Sequence, residues 1–203
     1  MSLDVDGRQR LRALLAGAVV AALVAVAAVL VMPSDDPVEA DAGVSAPQAP
    51  FTTGKPPRRL EVPSIGLDAP LKPIEVDTAG VLTPPEDART VGWWQRSAHP
   101  GAPVGQTVLT GHTLHAGGGV MNRLGTVERG AVVKVYDDGR AVDYRVTRVT
   151  EYSKAEVTEH AYDLFGQKRR GGRLVLVTCT DWVDGDYLSN IVVFAEPVPA
   201  ESA

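Results

Sequence analysis

Ala131-Val132-Val133-Lys134-Val135-Tyr136-Asp137-Asp138-Gly139-Arg140-Ala141-Val142-Asp143-Tyr144-Arg145-Val146 is the stretch that opens the reading of this 203-residue chain. β-Branched and aromatic residues crowd both halves, and the Asp-Gly pair between them supplies the positive φ angles of a tight turn, so the stretch predicts a β-hairpin. The same criteria applied outward predict strands over 59–62, 71–76, 107–110, 131–136, 141–152, 173–179 and 188–196, with shorter pieces near Val81 and Val91. Helix is scarce: one turn over 120–124 and another from Lys154 into Tyr162. Short strands punctuated by Gly and Pro predict a mostly β fold, a closed or nearly closed antiparallel barrel. A sandwich is the alternative, because strand spacing does not decide closure.

The N-terminus reads differently. Residues 13–32 form an uncharged apolar run of twenty, enough at 1.5 Å per residue to cross a hydrocarbon core of about 30 Å. Arg8, Arg10 and Arg12 precede it and Asp35 and Asp36 follow. The excess of positive charge puts residues 1–12 in the cytoplasm and everything beyond Pro33 outside, so a single-pass transmembrane helix in the cell membrane is expected. A removed signal sequence is the alternative, although the run ends in Val29-Leu30-Val31-Met32-Pro33 rather than in an Ala-x-Ala pattern. Residues 33–57 are rich in Pro, Ala, Asp, Ser and Gly and lack apolar periodicity, which is the composition of an exposed tether. Residues 58–198 have the length of one domain, with a short tail over 199–203. A net charge of −5 with scattered basic residues offers no footprint for nucleic acid.

The chain holds one cysteine, Cys179, closing Leu174-Val175-Leu176-Val177-Thr178-Cys179. An extracellular thiol without a disulfide partner is exposed to oxidation, and nucleophilicity is the usual reason to keep one. Its bland alternative is a small buried hydrophobe. A thiol of ordinary pKa is mostly protonated at neutral pH and needs a base nearby. His112 ends Thr107-Val108-Leu109-Thr110-Gly111, where Gly111 lets the backbone turn and the imidazole emerge at a strand end. His115 makes a His-x-x-His spacing with His112, but without a third ligand no metal site is expected, nor any cofactor. His99 and His160 are expected at the surface, and Trp93 and Trp94 in the core or along a groove wall. The segment Asp181-Trp182-Val183-Asp184-Gly185 reads as a loop bordering a groove.

The segments Leu109-Thr110-Gly111-His112-Thr113 and Leu174 to Cys179, their histidine and cysteine sixty-seven residues apart, resemble the two motifs of the sortases, membrane-anchored cysteine transpeptidases of Gram-positive bacteria. The likeness extends through Val62-Pro63-Ser64-Ile65-Gly66-Leu67, Val91-Gly92-Trp93-Trp94, Pro100-Gly101 and Met121-Asn122-Arg123-Leu124-Gly125, and its flavour is that of the short actinobacterial type near classes E and F. The resemblance implies a closed eight-stranded sortase barrel. It implies that Cys179 attacks the Thr-Gly amide of an LPxTG-type C-terminal sorting signal on a surface protein, that His112 protonates the leaving amine, and that Thr178 lines the groove. The acyl acceptor would be an amino group of a cell-wall precursor or a pilin.

One departure stands out. The resemblance implies an arginine on the strand after the cysteine, binding substrate and the oxyanion; Leu188 occupies the aligned position and no arginine follows Cys179. Arg173, six residues before Cys179 on its own strand, lies about 20 Å away at about 3.3 Å per residue. Asn190, on the same strand face as position 188, is one replacement, Arg123 a second, and a backbone or substrate-assisted oxyanion hole a third. Three functions follow: a transpeptidase, a sortase-fold binding module without efficient catalysis, or a thiol hydrolase.

Overall fold

The computed structural model describes residues 54–78, 80–138 and 140–199. The expected membrane span, nearly all of the tether and residues 200–203 lie outside the described residues; among those described, no helix is long and apolar enough to cross a membrane. Eight strands follow in chain order: β1 (Pro57–Val62), β2 (Leu67–Ile74), β3 (Val91–Trp94), β4 (Gln106–Thr110), β5 (Val132–Asp137), β6 (Arg140–Ser153), β7 (Arg173–Val183) and β8 (Asp186–Pro197). Two short helices, α1 (Lys154–Glu159) and α2 (Ala161–Phe165), fill the β6–β7 connection. The strands close in the order β1-β2-β3-β4-β7-β8-β6-β5.

The hairpin read from the sequence forms, with Asp137 paired to Arg140 across the turn. Closure also matches the expectation, but the barrel is mixed rather than antiparallel: β2 runs parallel to β3 and β4 parallel to β7. Parallel neighbours need long crossovers, and both are present, in the 75–90 connection and in everything between β4 and β7. Near Val81 only an isolated bridge forms, Val76 to Leu82. The expected turn at 120–124 is a 3₁₀ turn at Leu124–Thr126.

The uninterrupted burial of β4, and of β7 from Arg173 to Cys179, has a plain cause, since both faces of these strands are covered. Toward the barrel interior Leu109, Leu174 and Leu176 pack with Leu60, Val62, Val133, Val135 and Val193. On the outer face Val108, Val175, Val177 and Val192 pack beneath Val157 of α1, Leu164 and Phe165 of α2, and Leu82 of the β2–β3 connection. α1 starts in a capping box: Ser153 Oγ accepts from the Glu156 N–H, and the Glu156 carboxylate accepts from the Ser153 N–H at 2.7 Å. α2 is held by Arg173, buried in β7, which donates to Gln106 Oε1 at 2.9 Å and pairs with Asp163 at 3.2 Å.

Two expectations are corrected. The segment 181–185 is no loop: β7 runs on to Val183 and β8 begins at Asp186, with Asp184 (φ 49°) and Gly185 (φ 96°) making a two-residue turn of the primed kind. His99 is 8% exposed rather than superficial; its ring meets Trp93 edge-on at 5.1 Å and its Nδ1 bonds the Gly54 carbonyl at 2.9 Å. His160 is exposed, as expected, and Trp93 is core.

Candidate active site

Parallel pairing of β4 with β7 fixes the positions of the two candidate residues. Thr110 is level with Val177, and the Gly111 N–H continues the ladder to the Val177 carbonyl at 3.2 Å. Two residues further, His112, just past β4, and Cys179, within β7, stand at the same height. Gly111 matters for a reason other than turning: a Cβ there would meet Met121 Cγ and Val120 Cγ1 at 2.9 Å, so only glycine lets the segment after β4 close over the strand ends. Thr178 ties the two strands, its hydroxyl donating to the Gly111 carbonyl at 2.8 Å while Thr113 Oγ1 lies 2.8 Å from it.

His112 is half-buried, and its Nε2 lies 2.8 Å from the Pro85 carbonyl. A carbonyl only accepts, so in the neutral ring the proton is on Nε2 and Nδ1 is the basic nitrogen. Pro85 was not legible as a site residue, because a backbone carbonyl leaves no mark in side-chain chemistry. Among the described residues no hydrogen bond joins His112 to Cys179; catalytic contacts of this kind often tighten only with substrate.

Cys179 is a free thiol, 7% exposed. Across the β7–β8 ladder its partner is Asn190, itself 2% exposed, whose Nδ2 lies 3.9 Å from Sγ and 3.4 Å from the Thr178 carbonyl. Leu188, two residues toward the hairpin tip, is 44% exposed. Between the pairs Thr180–Ser189 and Trp182–Tyr187 it faces Asp181, whose backbone takes a positive φ of 59°. Arg123 donates instead to the Ile65 carbonyl at 3.0 Å, bracing the β1–β2 turn. The structure thus sets Asn190 beside the thiol and gives Arg123 a structural partner.

Burial pushes the thiol up to about 11; the Lys154 ammonium pulls it down and the Asp186 carboxylate pushes it further up. Those two groups pair with each other at 2.8 Å, which limits the help Lys154 gives. Asp186 is therefore the acidic neighbour of the thiol. At neutral pH about one thiol in 10⁴ is ionised, and the thiolate fraction rises tenfold per pH unit until pH approaches 11. Alkylation by iodoacetamide is accordingly expected to accelerate about tenfold per unit between pH 7 and 10. A plateau below pH 9, followed by mass spectrometry, would mean that a positive neighbour outweighs burial.

An aromatic row closes one side. Trp182 lies with its ring centroid 4.7 Å from both His115 and Tyr187, and Tyr187, 4% exposed, packs on Cys179. On another side a cleft of about 110 Å³ has Cys179 in its wall. A larger depression of about 710 Å³, lined among others by Lys134, Arg140 and Asp143, sits beside the β5–β6 hairpin, at the opposite end of β6 and β8. It holds neither the thiol nor a histidine.

Comparison with known proteins agrees with this geometry. The family profile described as a sortase domain matches residues 60–198. Sortase C-1 from Actinomyces oris superposes with a TM-score of 0.56 at 23% identity over 70% of this chain and 72% of that one. Sortase C2 of the Group B Streptococcus pilus island 1 gives 0.54 at 18% identity over 70% and 73%. A lid mutant of sortase A from Corynebacterium diphtheriae gives 0.57 at 20% identity over 75% and 76%. No curated protein matches the chain. With the profile spanning nearly the whole barrel, and the one thiol and a histidine level with each other just past the last β4–β7 pair, the chain belongs to the sortase family.

Proposed function

We propose that this protein is a membrane-anchored transpeptidase of the short type near classes E and F, cleaving an LPxTG-type sorting signal and passing the acyl group to an amine of a cell-wall precursor or a pilin. The observation that carries the reading is the free thiol of Cys179, level with His112 on the neighbouring strand and opposite Asn190 on the other. His112 Nδ1 takes the thiol proton as sulfur adds to the Thr-Gly carbonyl carbon. The oxyanion faces the Asn190 carboxamide, a donor where the family has a guanidinium. Collapse breaks the C–N bond, the proton on His112 leaves with the glycine amine, and a thioacyl enzyme remains. An incoming amine reverses the sequence and restores the thiol. The apolar run at 13–32 supports anchoring with the barrel outside the cell.

Two observations favour a second reading, a sortase fold without efficient chemistry: leucine at 188 and a thiol pushed up to about 11. Incubation of the full-length protein with an LPxTG-type peptide, with and without glycinamide, separates them by intact mass. A thioacyl adduct and an amide product are expected. Adduct with acid alone points to a hydrolase, and an unmodified protein beside intact peptide points to a binding module.

A further inference from the structure

We propose that Gly92 is a positioning residue for the reaction: carrying no side chain, it lets Pro85 seat against β3, from where the Pro85 carbonyl holds the His112 imidazole. The inference deepens the reading of the site given above and rests on His112 acting as its base. β3 is a four-residue strand, and a glycine inside a strand weakens it, having no side chain to pack and more backbone freedom to lose. The backbone does not demand glycine at 92, whose φ is not positive. Space is the remaining reason. A Cβ there would stand 2.5 Å from Ile74 Cδ1 and 3.0 Å from Pro85 Cδ, both shorter than van der Waals contact.

The register explains why this slot matters. Gly92 pairs with Thr110 across the β3–β4 ladder, and Trp94, on the same face as Gly92, packs with Ile74 against the outer cluster. His112, two residues past Thr110, returns to that face, as does Cys179, two residues past Val177 of the outer cluster. A group seated over Gly92 therefore lies beside the imidazole. Pro85 is that group, its carbonyl 2.8 Å from His112 Nε2.

The segment that carries Pro85 is stiff and tied down. Pro84 and Pro85 have fixed φ, Asp87 accepts from the Arg89 N–H at 3.0 Å and the Thr90 hydroxyl at 2.7 Å, and the Ala88 carbonyl accepts from the Val120 N–H at 2.8 Å. Met121, the next residue, donates its N–H to the His112 carbonyl at 2.9 Å. Residues 85–90 thus grip His112 by its ring and by the segment that follows it. The carbonyl orients the ring as a triad carboxylate would, but brings no charge to hold the imidazolium.

An alanine at 92 sets the test. Ile74→Val removes the Cδ1 methyl, the nearest contact, so in Gly92→Ala/Ile74→Val the added methyl still meets the Pro85 ring, which cannot turn aside. Pro85→Ala keeps the carbonyl and deletes Cδ, making room again. The full-length protein, labelled with ¹⁵N-histidine in detergent micelles, is followed by its imidazole N–H signals, those of His112 being identified by their loss in His112→Gln. Wild type is expected to show a slowly exchanging Nε2 proton, Gly92→Ala/Ile74→Val to exchange it about tenfold faster or more, and added Pro85→Ala to restore most of the protection. Acylation of Cys179 by an LPxTG-type peptide is expected to fall about tenfold to a hundredfold in kcat, with KM within about twofold, and to recover with Pro85→Ala. General loosening of β3 would not be rescued by deleting a further packing group. Asp87→Ala, at an exposed position, loosens the same segment without entering the core and is expected to speed the exchange even where β3 tolerates no alanine. Unchanged exchange in these variants, or a loss that Pro85→Ala leaves in place, overturns the role of Gly92. A wild type with a protected Nε2 proton that forms no acyl enzyme overturns the transpeptidase reading and leaves the positioning of His112 standing.

Discussion

Cys179→Ser is expected to lower acyl-enzyme formation by about 10⁴-fold or more while leaving the barrel folded. The exchange keeps the size and the neighbours of the side chain, Asn190 across the ladder and Tyr187 packed upon it, so little in the fold responds. The chemistry responds strongly. Even the thiol must be stripped of a proton held up to about 11, and a serine hydroxyl holds its proton more tightly still and is the poorer leaving group when the amine attacks. The chain has no second cysteine to substitute, which makes the result decisive. The measurement is a time course of acyl adduct by intact mass beside the melting temperature of each protein. Unchanged peptide consumption in the serine variant would place the nucleophile elsewhere and remove the basis for reading this site as a sortase centre.

What the sequence made legible was whatever repeats at short range. Asp137 to Arg140 is flanked by alternating apolar residues, whereas Asp184-Gly185 follows exposed Trp182 and Val183 and reads as loop. The hairpin extends past the core, where no hydrophobic periodicity is required of it. Closure was legible from the resemblance, whereas the parallel pairings of β2 with β3 and β4 with β7 depend on where long crossovers return the chain. His99 was misread because a lone histidine carries no sign of the Trp93 ring and Gly54 carbonyl that bury it. At the site, Cys179 and His112 were legible as chemistry. The Pro85 carbonyl, the Lys154–Asp186 pair and the Tyr187 packing were not, since each arises from contacts between distant segments.

The missing arginine gives the second large prediction: Asn190→Ala is expected to reduce kcat/KM for acylation by about 10² to 10³, mainly through kcat, because an oxyanion donor acts where charge develops rather than on the bound ground state. The cost in stability is expected to be small, about 1 kcal/mol, since the carboxamide makes only a 3.4 Å contact with the Thr178 carbonyl and a 3.9 Å contact with the thiol. Leu188→Arg supplies the complementary experiment. Position 188 shares a strand face with Asn190 and is 44% exposed, so a guanidinium there costs the core nothing and can reach back along the strand toward Cys179. If both groups serve the same oxyanion, Leu188→Arg placed on Asn190→Ala should recover most of the lost rate, and its effect in the Asn190 background should be smaller. Equal gains in both backgrounds would show that arginine acts elsewhere, on the bound peptide. A loss of less than twofold in Asn190→Ala would shift the oxyanion site to backbone N–H groups, because the only other side chain proposed for the role, Arg123, already donates to Ile65.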